Sequence, residues 1–116
     1  MSQWITVCHR NDVVANAGRC ALIDGKQVAL FRIVRNHQET WFAVQNYDPY
    51  SDANVLSRGI VGCTNNTLFV ASPIYKQRFA LATGQSLEDS DITLETWPVE
   101  IRDDRVQVMT HQQQAA

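Results

Sequence analysis

The sequence predicts an all-β protein, an antiparallel β-sandwich of short strands with a loop-rich subregion inserted in its middle. Strand-like runs rich in β-branched and aromatic residues recur along the chain, separated by turns of Gly, Asn, Asp and Pro. No segment sustains apolar residues at helical spacing. The stretch 46–84 holds two of the three prolines and three of the five glycines and shows little continuous strand pattern. Loop-rich stretches of that kind between regular strands are usually functional insertions.

The elements follow in chain order. Trp4 to Cys8 alternates large and small side chains as a strand does. Asn11 to Gly18 reads as one helical turn, with Asn11 or Asp12 as its cap and Gly18 as its end. Arg19 to Asp24 and Gln27 to Val34 flank Asp24-Gly25, the strongest hairpin signal in the chain. In the second arm Val28, Leu30, Arg32 and Val34 interleave with Ala29, Phe31 and Ile33, so both faces are expected to be at least partly covered. After the polar turn Asn36 to Glu39, Trp41 to Val44 forms the next strand, and Asp52 to Leu56 suits another short turn. Thr67 to Ala71 and Gln77 to Leu81 are shorter candidates. Leu94 to Ile101 and Val106 to Met109 surround Arg102-Asp103-Asp104-Arg105 in a last hairpin.

With 116 residues the chain can bury a core as one domain, expected over residues 1–110, with 111–116 as a polar, disordered tail. Apolar residues are 45% and charged residues 19% of the total, an ordinary globular profile. Ten basic and twelve acidic side chains give a net charge of −2 with no basic run or stripe, which argues against a nucleic-acid partner. The N-terminus lacks the apolar stretch of a signal peptide, and nothing approaches membrane-spanning length, so the expected location is the cytoplasm with no membrane contact. Cys8, Cys20 and Cys63 are odd in number and widely spaced, which suits small buried apolar residues better than a disulfide framework.

Catalytic and metal-binding patterns are missing. The chain has no Cys-x-x-Cys, His-x-x-x-His or Cys-x-His, and neighbouring Cys8 and His9 point to opposite faces of a strand. His37 falls in a polar turn and His111 in the tail. No Gly-x-Ser-x-Gly surrounds Ser72, and Gly59 and Gly62 open no phosphate-binding helix. The acidic pairs Glu88-Asp89 and Asp103-Asp104 sit in expected turns as solvated charges. Trp4, Trp41 and Trp97 read as core or sheet-face packing, with an exposed aromatic anchor as the alternative. Lys76 and Arg78 read as surface charges that could also meet a partner's acidic rim.

Two segments organise the rest, Asp48-Pro49-Tyr50 and Ser72-Pro73-Ile74-Tyr75. With the hairpin Gly18 to Val34, the strand Trp41 to Asn46, the run Leu56-Ser57-Arg58-Gly59-Ile60-Val61, the segment Arg78 to Gly84 and the closing Leu94 to Ile101, they resemble the Rieske ferredoxin-like family. Within it they are similar to the nitrite reductase small-subunit branch, over almost the whole chain from Trp4 to Met109. The resemblance implies a Rieske-like sandwich in which Asp48 and Ser72 stand where the family has cluster-binding Cys, and Tyr50 and Tyr75 where it has His. One departure is that the stretch between Tyr50 and Ser72 is longer than in cluster-bearing members. A Rieske [2Fe–2S] centre needs two thiolates and two imidazoles, and hard oxygen donors do not replace them. The resemblance therefore implies a chain with no cluster, no cofactor and no catalytic or metal-binding residue of its own. Its partner would be a large catalytic subunit carrying FAD, an iron–sulfur cluster and sirohaem, which reduces nitrite to ammonia with NADH in nitrogen assimilation. The two tyrosines are expected to plug the vacated volume; their hydroxyls and the Asp48 carboxylate would then need hydrogen-bond partners, with Ser72 as a candidate for one. The alternatives are an electron carrier with a non-standard metal site in these loops, and a freestanding β-sandwich binding module.

Overall fold

The computed structural model describes residues 2–111. Among the described residues ten of the twelve strands form three layers, the middle one an antiparallel sheet of order β10-β4-β3-β2, made of Thr96–Trp97, Gln38–Gln45, Lys26–Arg35 and Ala17–Ile23. On one side lies the sheet β1-β12-β11, made of Ser2–His9, Arg105–His111 and Val99–Arg102. On the other lies β7-β8-β9, made of Ile60–Thr64, Thr67–Ala71 and Arg78–Ala80. A two-stranded ribbon, β5 (Tyr47–Asp48) and β6 (Ala53–Asn54), links the central and third layers.

The three layers explain the interleaved apolar residues of β3. Because successive strand residues face opposite ways, Val28 and Leu30 enter one core with Ile23, Ala43, Trp97, Val106 and Val108. Ala29, Phe31 and Ile33 enter the other with Val44, Leu56, Val70, Phe79, Leu81 and Leu94. Residues 28–31 have no exposed surface. Asp24 and Gly25 both take positive φ (49° and 78°), the turn whose twist matches the strands it joins.

Several expectations are corrected. The N-terminal turn is a 3₁₀ helix over Arg10–Asp12 capped by His9, whose Nδ1 accepts from Asn11 N at 3.0 Å, and Gly18 belongs to β2. The turn expected over Asp52 to Leu56 lies earlier, at 49–52, and a second 3₁₀ helix follows at Leu56–Arg58. The stretch 46–84 is richer in strand than expected, since it holds the ribbon and the whole third sheet. Leu94 to Ile101 is not one strand: β10 pairs with β4 and β11 with β12, and Pro98, which has no N–H to donate, stands where the chain changes sheets. Cys20 and Cys63 are exposed and Cys8 is half-buried. Trp97 is buried and Trp41 half-buried, whereas Trp4 lies 37% exposed on an outer strand. His111 ends β12, opposite Ser2, rather than opening the tail; residues 112–116 of that expected tail lie outside the described residues.

Candidate functional site

Two five-residue loops, Asp48–Asp52 and Ser72–Lys76, fold alike and meet at their first residues. Each has proline second, at Pro49 and Pro73. Each is closed by a backbone bond from the fifth residue to the first, Asp52 N to Asp48 O at 2.8 Å and Lys76 N to Ser72 O at 3.1 Å. The fifth residue is left-handed in both, with φ of 56° at Asp52 and 64° at Lys76. The first side chain accepts from the third backbone N–H, Tyr50 N to Asp48 Oδ1 at 3.0 Å and Ile74 N to Ser72 Oγ at 3.3 Å. Short polar side chains that bond their own backbone two residues on are what such turns require.

Ser72 Oγ donates to Asp48 Oδ2 at 2.5 Å, and Ser51 Oγ donates to the same oxygen at 2.7 Å. Asp48 is completely buried and Ser72 nearly so. A buried carboxylate without such donors would be strongly destabilising. This one accepts three hydrogen bonds and ties the two loops together.

The two tyrosines part company. Tyr50 is half-buried against the core, its ring 5.7 Å from that of Phe79 and tilted by 49°, and its hydroxyl lies 2.8 Å from Ser86 Oγ. Ser86 Oγ also accepts from the N–H groups of Glu88 and Asp89, at 3.2 and 3.1 Å, so Tyr50 laces a third loop to the first. Tyr75 is 61% exposed and Ile74 beside it 46% exposed. The expected plug is therefore half present: Tyr50 fills, and Tyr75 points out. Ile74, the third residue of the second loop, is exposed too, whereas Tyr50, the third of the first loop, packs on Phe79.

Neighbouring residues were harder to read from sequence. Gly59, at the end of the second 3₁₀ helix, packs so closely on the strand before the second loop that a Cβ would strike Ala71 O and lie 2.6 Å from Val70 Cγ2. Asn46, buried just before the first loop, accepts from Ser57 N at 2.7 Å and donates to Gln27 Oε1 and Asn54 O at 3.0 and 3.2 Å. Its lone asparagine side chain carried no motif that could have announced this role. Glu88, expected as a solvated charge, instead takes two bonds of 2.9 Å from Arg78, one from the backbone N–H and one from Nε. Burial pushes the Glu88 carboxyl up, but these bonds and the nearby guanidinium outweigh it and hold it below the usual range. Arg78 also stacks over Phe69, 5.5 Å from the ring centroid.

The donors present do not fit an iron–sulfur cluster. Apart from the Lys76 ammonium, the polar side chains of both loops offer oxygen only, and the Asp48 carboxylate is engaged by three donors. The free thiols lie elsewhere, on β1, β2 and β7. Among the described residues no three His, Cys, Asp or Glu side chains converge. Cluster iron favours thiolate and imidazole over such a set.

Residues 3–109 match the model of the Rieske-like [2Fe-2S] domain family. The nitrite reductase (NADH) small subunit of Salmonella typhimurium is 41% identical over 108 residues, covering 93% of this chain and 98% of that one. The solution structure of the Escherichia coli protein NirD is similar with a TM-score of 0.87 at 38% identity, covering 97% of this chain and 100% of that one. A third relative has a different form: 109 residues align at 34% identity with the nitrite reductase [NAD(P)H] large subunit of Klebsiella oxytoca, covering 94% of this chain and 11% of that protein.

Proposed function

The chain belongs to the Rieske-like [2Fe-2S] domain family, and on that premise we propose that it is a small subunit of NADH-dependent nitrite reductase that supports its large subunit without carrying electrons itself. The observation that carries this reading is the Asp48–Ser72 bond, which occupies the two loop positions where the family resemblance puts thiolates. A subunit with that node keeps the shape of the two loops while offering no group that cycles between oxidation states. The nitrite reductase names of near full-length relatives support the assignment to this enzyme.

On this reading the large subunit holds the FAD, iron–sulfur and sirohaem groups. It takes hydride from NADH and delivers electrons to nitrite, forming ammonia for nitrogen assimilation in the cytoplasm. The small chain contributes binding energy that favours the competent form of its partner, and so acts through the population of that form. No catalytic residue is assigned to it. Among the described residues no helix is long and apolar enough to cross a membrane.

The test is NADH-dependent nitrite reduction by the purified large subunit with and without this chain. The reading expects activity or stability of the large subunit to rise in proportion to added chain and saturate. Full, stable activity without the chain would overturn it and favour a freestanding binding module.

A further inference from the structure

We propose that the tip formed by the two loops is the docking surface for the large subunit, with an apolar centre of Pro49, Pro73, Ile74 and Tyr75 flanked by the cations Arg58 and Lys76, and that it meets a patch apolar in the middle and acidic at its rim. This inference rests on the small-subunit reading above and adds to it a face and a partner chemistry.

Three observations carry it. Ile74 and Tyr75 are consecutive large apolar residues left 46% and 61% exposed, on a loop whose base is fixed by the buried Asp48–Ser72 bond. Exposed apolar side chains on a preorganised loop lose little entropy on binding, which is what an interface anchor needs. Tyrosine is also among the residues that most often dominate interface energetics.

The second observation is charge. Lys76 closes the second loop, and Arg58 ends the 3₁₀ helix that is followed by Gly59, packed on Ala71, the last residue of β8 before that loop. Among the described residues neither has a carboxylate within ion-pairing distance, whereas Arg78, two residues on, is held by Glu88 at 2.9 Å. The first loop also carries an exposed carboxylate, Asp52, whose hydrogen-bond partner is the neutral Tyr47 hydroxyl at 2.5 Å. The tip thus offers cations with no internal partner, the pattern that complements an acidic rim and speeds encounter with it.

The third observation identifies the partner. The Klebsiella oxytoca large subunit carries a homologous segment as 11% of its own length, so in that protein the domain and the rest of the enzyme are one chain. A domain that occurs both as a separate chain and within the large subunit has that subunit as its natural neighbour.

The experiment titrates the cognate large subunit, purified with its cofactors, with the wild-type chain and variants at two salt concentrations, and measures self-association of the chain alone by sedimentation. Tyr75→Ala is expected to weaken binding by about tenfold or more. The double variant Arg58→Glu, Lys76→Glu is expected to weaken it and to flatten its salt dependence. Gln3→Ala, which changes an exposed residue of β1, in the layer across the central sheet from β7-β8-β9, is expected to bind as wild type. Melting temperatures establish that each variant folds. The inference is overturned if the wild-type chain binds and both tip variants bind equally well. It is overturned as well if the tip variants abolish self-association but not binding to the large subunit, which would make the tip a contact between copies. If the wild-type chain does not bind the large subunit at all, the small-subunit reading itself fails, a result distinct from either.

Discussion

Asp48 is the residue on which both loops hang. Replacing it with Ala would leave the Ser51 and Ser72 hydroxyls and the Tyr50 N–H without their acceptor in a buried site. That should cost about 2–4 kcal/mol, measured as the shift in a urea unfolding curve. Asp48→Asn keeps the shape and one acceptor oxygen, and should cost less. Tyr50→Phe removes only the hydroxyl bonded to Ser86 and should cost about 1 kcal/mol by the same measurement. Lys76 tests the opposite direction. A lysine at φ 64° holds a backbone conformation that suits Gly better, so Lys76→Gly should stabilise the isolated chain by about 0.5–1 kcal/mol while weakening its docking. A stability gain without loss of binding would remove Lys76 from the docking surface. At this scale the sequence singled out Asp48 and Ser72 as positions, because the residues stand where a known frame has ligands, but not the bond between them. It did not separate Tyr50 from Tyr75, since facing in or out depends on how each turn aims its third and fourth residues.

Among the elements, the joint between the first 3₁₀ helix, β3 and β4 is electrostatic. Glu39 accepts from Arg10 Nε at 3.0 Å, Arg32 Nε at 2.8 Å and Trp41 Nε1 at 2.8 Å. Burial by itself raises the carboxyl, but the bonds from Trp41, Arg10 and Arg32 together prevail and hold it below its ordinary value. A carboxyl depressed in the folded state adds stability above its unfolded value, near 4.5, and that stability is lost as the pH falls through the lower folded value. Acid unfolding should therefore steepen below about pH 4.5 in the wild type and be flatter in Glu39→Gln, read from stability at stepped pH. An unchanged slope would show that the joint is not pH-sensitive. Strand legibility followed turn chemistry. The hairpin at Asp24-Gly25 and the strand Thr67–Ala71 were plain because their ends are marked by residues that accept positive φ. The strand β7 was missed although Asn65-Asn66, both at positive φ, carry the same kind of signal, because glycines thin its apolar pattern. The break at Pro98 was missed because the apolar run continues through it and only the sheet partner changes.

For the whole molecule, the three-layer architecture was foreshadowed only by β3, whose two apolar faces require cover on both sides. The layering itself depends on long-range pairings such as β1 with β12, which no local pattern contains. The proposed function also belongs to this scale: on that proposal, a Rieske-like frame held together by hydrogen bonds would serve an enzyme in which another chain moves the electrons. The most direct measurement is a reconstitution in which the chain, produced in iron-replete cells, is first analysed for iron and acid-labile sulfide and then added to the large subunit for NADH-dependent nitrite reduction. The account predicts a colourless chain free of iron and sulfide that nonetheless raises or stabilises nitrite reduction. A chain that holds two irons and two sulfides, and supports reduction only when they are present, would contradict it.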